Sequence, residues 1–366
     1  MKTIIVIVDG AADLPDESFG GLTPLQAADM PVAADIAAMS VTGRLVTSPD
    51  GSPPGSETAI MSILGYGNDV PIKGRAWFEA LGLEMPLRPG STVWRCNVVR
   101  SDDEGRVTDP MPADIDDARA RFLIESSVSF PIIKDARHIK DLSGLVVTDS
   151  SYSDDDYISP YDAFLSCEDG RPFPGLPHWM WLWSPGNVIS LRPCPYRGAV
   201  IAATPLVRGI GRALGMKVSH SESMTGDCIT SLEAKADTAV CAIDDPDTDL
   251  VVVHVEGADT ASHAGRPDMK KAFLEQIDSR LLAPVWNRAR TGGVALVLLP
   301  DHVTSWHRRS HTSDPVPVCV YIPGMPGDSV RRFDEISVSE GSLGLIPSCS
   351  LPRILDDLRK CQKYVH

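Results

Sequence analysis

Seven side chains in this 366-residue sequence have the types and positions for phosphoryl chemistry. Asp9 ends an apolar run. Ser56 follows Pro53-Pro54-Gly55. Asp259 and His263 stand four apart, Asp301 and His302 adjoin, and His311 precedes another apolar run. Together they offer three carboxylates, three imidazoles and one hydroxyl. Oxygen and nitrogen donors without thiolates suit manganese, zinc or a related divalent ion. Two such cations about 3.5–4 Å apart can clamp the attacking and leaving oxygens of a phosphoryl group. A serine hydroxyl is a weak nucleophile until its proton is lost, and coordination favours that loss. A helix starting at Ser56 would also aim free backbone N–H groups at a phosphate. Taken singly, Asp9 and Ser56 read as turn or cap residues and each histidine as packing. Their shared place at the ends of apolar runs joins them.

The elements that must position them follow from the same runs. Residues 3–8, 251–255, 294–299 and 318–322 are short, apolar and β-branched, and 199–202 is similar. Such continuous runs suit strands buried on both faces. Met269, Phe273, Ile277, Leu281 and Val285 recur every four residues, the pattern of a core-facing helix stripe. Strands alternating with helices predict a largely parallel sheet covered on both sides, with ligands at the C-terminal strand ends. From about Arg88 to Arg197 the chain is richer in Pro, Asp and Ser, residues 150–156 read as a loop, and Trp179, Trp181 and Trp183 alternate. The expected organisation is a discontinuous domain, 1–87 with 198–366, interrupted by an inserted domain at 88–197.

Formal net charge is −15, which disfavours nucleic acid and anionic membranes as partners. No apolar run approaches the length of a membrane span, and the start is too short for a signal-peptide core. The eight cysteines contain no Cys-x-x-Cys pair, so neither a thiolate zinc site nor a disulfide scaffold is expected, and the cytoplasm is the simplest compartment.

Several segments carry a resemblance. They include Asp9-Gly10, Gly20 to Leu25, Pro54 to Ala59, Ser62 to Tyr66, Gly74-Arg75, Arg95-Cys96-Asn97, Arg137-His138 and Arg208 to Arg212. His254-Val255-Glu256, Pro300-Asp301-His302, His311-Thr312, Asp314 to Pro317 and Glu340 to Gly344 continue the series. The chain resembles the archaeal-type cofactor-independent phosphoglycerate mutases of the alkaline phosphatase superfamily. The resemblance implies an α/β, alkaline-phosphatase-like fold. A mostly parallel sheet is sandwiched by helices, with a smaller inserted α+β domain that holds substrate. It implies two divalent ions, manganese first, with zinc, magnesium or cobalt as alternatives. Asp9, Ser56, Asp301 and His302 would hold one, and Asp259, His263 and His311 the other. Ser56 would accept the phosphoryl group of a phosphoglycerate and return it to the neighbouring hydroxyl.

By the same resemblance, Arg75, Arg95, Arg137 and His138 are candidate substrate-binding residues, since Arg suits bidentate anion recognition. His254 and Glu256 are candidate supports behind the ligands. A small phosphorylated substrate and homo-oligomerisation are the partner expectations. Three departures bear on the substrate. The family has Asn where Ile60 stands, a smaller segment where Ala76-Trp77-Phe78 stands, and His where Tyr161 stands. The alternative they raise is a related phosphotransferase on another small substrate, of homoserine kinase type.

Overall fold

The computed structural model describes residues 1–49, 52–67, 74–103, 106–149, 177–187 and 190–362. The expected loop at 150–156 and the departure at Tyr161 lie outside these residues. The chain divides into two compact units, Met1–Pro71 with Arg192–His366, and Ile72–Leu191.

The first unit is built on an eight-stranded sheet. Its order is Lys217–Ser219, Gly198–Ile201, Leu250–Val255, Thr3–Val8, Ala295–Leu299, Val316–Tyr321, Val41–Leu45, Gly344–Ile346. The first five run parallel; Val316–Tyr321 is antiparallel to both neighbours. The central strand Thr3–Val8 is buried along its whole length, as its unbroken apolar run requires. Ile4, Val6 and Val8 pack with Phe273, Leu281, Val285 and Ile36 from helices on one face. Thr3 and Ile5 face the other way, as strand alternation dictates. With Ile63 and Leu355 they line a cavity of about 600 Å³ against helices Ser56–Ile63 and Leu351–Gln362. The sheet is therefore covered on both faces, and the α/β class expected from the sequence is the one found.

The four-residue stripe holds with one change. Phe273, Ile277, Leu281 and Val285 are buried, but Met269 is 38% exposed. Four residues advance about 400° around an α-helix, so a strict four-residue repeat drifts by about 40° per step. Helix Pro267–Ile277 meets this with a π-helical turn, Asp278–Leu282, before Ala283–Gly292. The wider turn brings Leu281 and Val285 back to the core. Pro284 lies just beyond it, has no N–H to give a preceding carbonyl, and so favours the break. Met269, at the other end of the stripe, drifts outward.

The second unit carries an antiparallel sheet ordered Ile133–Lys140, Ser143–Asp149, Ser91–Val98, Met180–Asn187. Helix Asp117–Ser126 places Ala120 and Ile124 against Trp94, Val146 and Leu182. Helix Ala76–Gly82 places Ala76 and Ala80 on the opposite face, against Val93, Leu145 and Val147. That packing draws residues 76–82 into the second unit, although the sequence reading grouped them with the first. Among the described residues no helix is long and apolar enough to cross a membrane.

Candidate metal centre and nucleophile

All seven expected residues lie in the first unit, at the C-terminal ends of its parallel strands. Asp9 follows Thr3–Val8, and its amide still pairs with Val255 O of the neighbouring strand at 2.9 Å. Gly10 turns the chain with φ +64°; a Cβ there would lie 2.5 Å from Asp259 Cα. Only glycine permits both the conformation and that approach. Asp259 and His263 share the short helix Gly257–His263 after Leu250–Val255, one turn apart on one face. Asp301 and His302 follow Ala295–Leu299 and lead into a hairpin, Val303–Ser305 with Ser310–Thr312. The hairpin returns the chain so that His311 faces Thr304, and the His302 and His311 rings stack at 3.8 Å. Ser56 is the first residue of helix Ser56–Ile63 and is 8% exposed.

Two clusters result. Asp9, Asp301 and His302 present ligand atoms within 4.8 Å of one another, and so do Asp259, His263 and His311. Ser56 Oγ lies 3.2 Å from His302 Nε2 and so joins the first. Asp9, His254 and Glu256 form a further group within the same limit, with His254 Nε2 3.2 Å from Asp9 Oδ2.

The donor set fits divalent cations on two observations. Asp9 Oδ1 and Asp301 Oδ2 are buried and accept no hydrogen bond, a costly state for a carboxylate unless a cation compensates it. The second concerns the imidazoles. His263 Nδ1 lies 2.9 Å from Arg309 O, and His311 Nδ1 lies 3.3 Å from Pro54 O. A carbonyl only accepts, so each Nδ1 carries the proton and each Nε2 a lone pair. Yet the two Nε2 atoms face each other at 2.9 Å, beside Asp259 Oδ1 at 3.4 and 3.3 Å. Two lone pairs hold that arrangement only around a positive charge, a proton or a metal ion. Arg309 adopts φ +53° to aim its carbonyl at His263, a strained conformation of the kind that gathers at functional sites.

Electrostatics follow the same geometry. Burial, reinforced by Asp301 and Asp259, raises the Asp9 carboxyl well above its usual range. Burial acts the same way on Asp259, but the positive charge held by the His263 and His311 imidazoles beside its Oδ1 overcomes it and keeps that carboxyl well below. Burial lowers His302, and lowers His254 to about 4, favouring the neutral form of each ring.

The four anion-binding candidates belong to the second unit and fall into two places. Arg75 Nε and Arg95 Nη1 both reach Glu79 Oε1, at 3.0 and 2.8 Å, and Trp183 stacks 5.0 Å from the Arg95 guanidinium. Glu79 is 3% exposed, so two guanidinium groups meet at one buried carboxylate. Arg137 is exposed, whereas the His138 side chain is 1% exposed with Nε2 2.9 Å from Asp141 O, at the turn of its own hairpin. Adjacent strand residues point to opposite faces, so the two do not act on one ligand together. Of the departures, Ile60 and Trp77 are both buried.

Sequence reading missed Thr304, Asp13 and Lys270. Lys270 Nζ, fully buried, donates to Asp13 Oδ2 at 2.6 Å, Thr304 O at 3.0 Å and Ala12 O at 3.2 Å. Those carbonyls lie in the chain just beyond Asp9 and His302, so one ammonium ties the two turns that carry these candidate ligands. Thr304 had a faint signal, two residues after His302; a lysine next to Lys271 in an amphipathic helix had none.

Residues 1–355 match the metalloenzyme superfamily. A 2,3-bisphosphoglycerate-independent phosphoglycerate mutase of Methanosarcina barkeri is 34% identical over 97% of this chain and 99% of its own. The Methanosarcina acetivorans protein of the same name is 32% identical over 96% and 98%. Among solved structures, a Pyrococcus horikoshii protein superposes with a TM-score of 0.77 at 25% identity, covering 98% of this chain and 96% of that one. The cofactor-independent phosphoglycerate mutase of Thermoplasma acidophilum shares the fold, with a TM-score of 0.65 at 24% identity over 98% and 100%. Full-length likeness, with divalent-metal ligand clusters at the strand ends, places this chain in the metalloenzyme superfamily and, within it, in the family of 2,3-bisphosphoglycerate-independent phosphoglycerate mutases.

Proposed function

We propose that this protein interconverts 2- and 3-phosphoglycerate without 2,3-bisphosphoglycerate, as a cytoplasmic enzyme with Ser56 as the phosphoryl acceptor. The observation that carries the reading is Ser56 Oγ, 3.2 Å from His302 Nε2, at the mouth of a cluster whose buried carboxylate oxygens lack hydrogen-bond donors. Asp9, Ser56, Asp301 and His302 would hold one divalent ion and Asp259, His263 and His311 the other, with manganese the first choice and zinc, magnesium or cobalt the alternatives. Bound ions would neutralise phosphate charge and favour the serine alkoxide.

The chain's own groups do the rest. Ser56 Oγ attacks phosphorus, the bond from phosphorus to the glycerate oxygen breaks, and the proton lost by Ser56 ends on that oxygen. The neighbouring glycerate hydroxyl then attacks phospho-Ser56 in reverse, restoring the serine. The first turn of helix Ser56–Ile63 directs backbone N–H groups toward the serine end and favours the negative phosphoryl group. Arg75 and Arg95, whose guanidinium groups converge at Glu79 and suit bidentate anion recognition, are the proposed anion-recognising groups of the second unit. His138, enclosed and bound to Asp141 O, supports its hairpin in this reading.

The test is turnover of 3-phosphoglycerate by manganese-loaded protein without added bisphosphoglycerate, with mass spectrometry for phosphate on Ser56. Ser56→Ala should abolish both; normal turnover by that variant would refute the phosphoserine route. Activity only with ATP and homoserine would move the assignment to the alternative acceptor.

A further inference from the structure

We propose that Thr304 is the positioning residue that ties the two cation clusters together, its single hydroxyl setting both the His302 tautomer and the Asp259 orientation. This rests on the two-cation reading above. Thr304 is fully buried, and its Oγ1 donates to Asp259 Oδ1 at 2.8 Å. The same oxygen lies 3.0 Å from His302 Nδ1. A hydroxyl has one proton to give. Spent on Asp259, it leaves the oxygen only able to accept, so His302 must carry its proton on Nδ1. The lone pair is then on Nε2, which faces Ser56 Oγ at 3.2 Å, Asp301 Oδ2 at 3.4 Å and Asp9 Oδ1 at 3.5 Å. One side chain thereby fixes a candidate ligand of each cluster, Asp259 in one and His302 in the other.

The backbone of Thr304 is held as firmly as its side chain. Its N–H donates to Ala12 O at 3.1 Å, its carbonyl accepts from Lys270 Nζ at 3.0 Å, and it pairs across the hairpin with His311. A hydroxyl held on a fixed backbone orients ligands; one on a mobile loop would follow them. Partners of this kind behind a metal ligand typically govern about 10–100-fold in metal affinity. A buried threonine with only a packing role would behave differently, because valine has the same shape and is more apolar.

The experiment compares wild type, Thr304→Val and Thr304→Ser by calorimetric manganese binding. Long-range proton–nitrogen NMR of metal-free, histidine-labelled protein adds the tautomer, with His302 assigned by His302→Asn. Wild type should bind two ions and show His302 protonated on Nδ1. Thr304→Val should weaken both ions by about 10–100-fold and lose the Nδ1-protonated state, while Thr304→Ser should stay near wild type. Valine binding both ions within about twofold of wild type, weakening one ion only, or doing no worse than serine, would overturn the proposal. So would a wild-type His302 protonated on Nε2, a readout that stands even where the valine variant fails to fold. Wild type binding a single ion would instead refute the two-cation reading, and the proposed tie would fall with it.

Discussion

Replacing Lys270 by methionine removes the ammonium that joins the turns after Asp9 and His302 while keeping most of the side-chain volume. Lys270 Nζ makes hydrogen bonds of 2.6, 3.0 and 3.2 Å to Asp13 Oδ2, Thr304 O and Ala12 O, and both members of the ion pair are almost wholly buried. Burial lowers the lysine's pKa and Asp13 opposes that shift, so the pair works against a desolvation penalty. Without the lysine, Asp13 Oδ2 keeps, among the described residues, the Trp306 N–H at 3.3 Å. Removing one partner of a buried pair typically costs about 3–5 kcal/mol, because the other charge stays buried and uncompensated. An exposed pair would cost about 0–1 kcal/mol. Urea denaturation of the metal-free protein, with hydrogen exchange at the 303–305 amides, reads the loss. In the double variant Lys270→Met/Asp13→Asn the stranded charge is gone, and more than half of the loss should return. A single-variant cost below about 1 kcal/mol, or a double variant no more stable than the single, would refute the reasoning.

Other outcomes follow from the same geometry. His263→Ala should cut manganese stoichiometry by one ion and Asp301→Asn by the other, read by calorimetry; loss of both ions from either change would contradict two separate clusters. Gly10→Ala should be strongly destabilising by thermal melting, since φ +64° costs roughly 1–2 kcal/mol for a residue with a Cβ and that Cβ would meet Asp259 Cα at 2.5 Å. Burial raises Glu335 from 4.5 to about 7. The folded chain therefore keeps a proton there that the unfolded chain releases, so the stability it contributes is complete below pH 4.5 and lost as pH rises through about 7. Glu335→Gln should flatten that part of the stability–pH curve, and an unchanged slope would disprove the assignment.

Much of the architecture was legible before any coordinates. Short β-branched runs ending in acidic residues marked the parallel strands and the edge where ligands gather, because a strand buried on both faces has no alternative composition. Asp9, Ser56, Asp259, His263, Asp301, His302 and His311 stood out for the same reason. The four-residue stripe marked a helix, although its outer member, Met269, proved partly exposed once a π-helical turn reset the face. The anion-binding candidates were less legible. Arg137 and His138 are neighbours in sequence but leave their strand on opposite sides; Arg75 meets Glu79 at i,i+4 spacing, but Arg95 joins them only through tertiary packing that no local pattern displays.

Residue types and their places in the chain thus marked which side chains are candidates for a metal site and which hydroxyl stood at a helix start. Tertiary structure alone decided how those side chains are held. It buried a lysine 257 positions from its aspartate partner and set one threonine hydroxyl between Asp259 and His302. It also let two backbone carbonyls choose the tautomers of His263 and His311. Periodicity reports which face of an element is apolar; hydrogen bonds between distant turns exist only after the sheet has closed, and they leave no local trace in the chain.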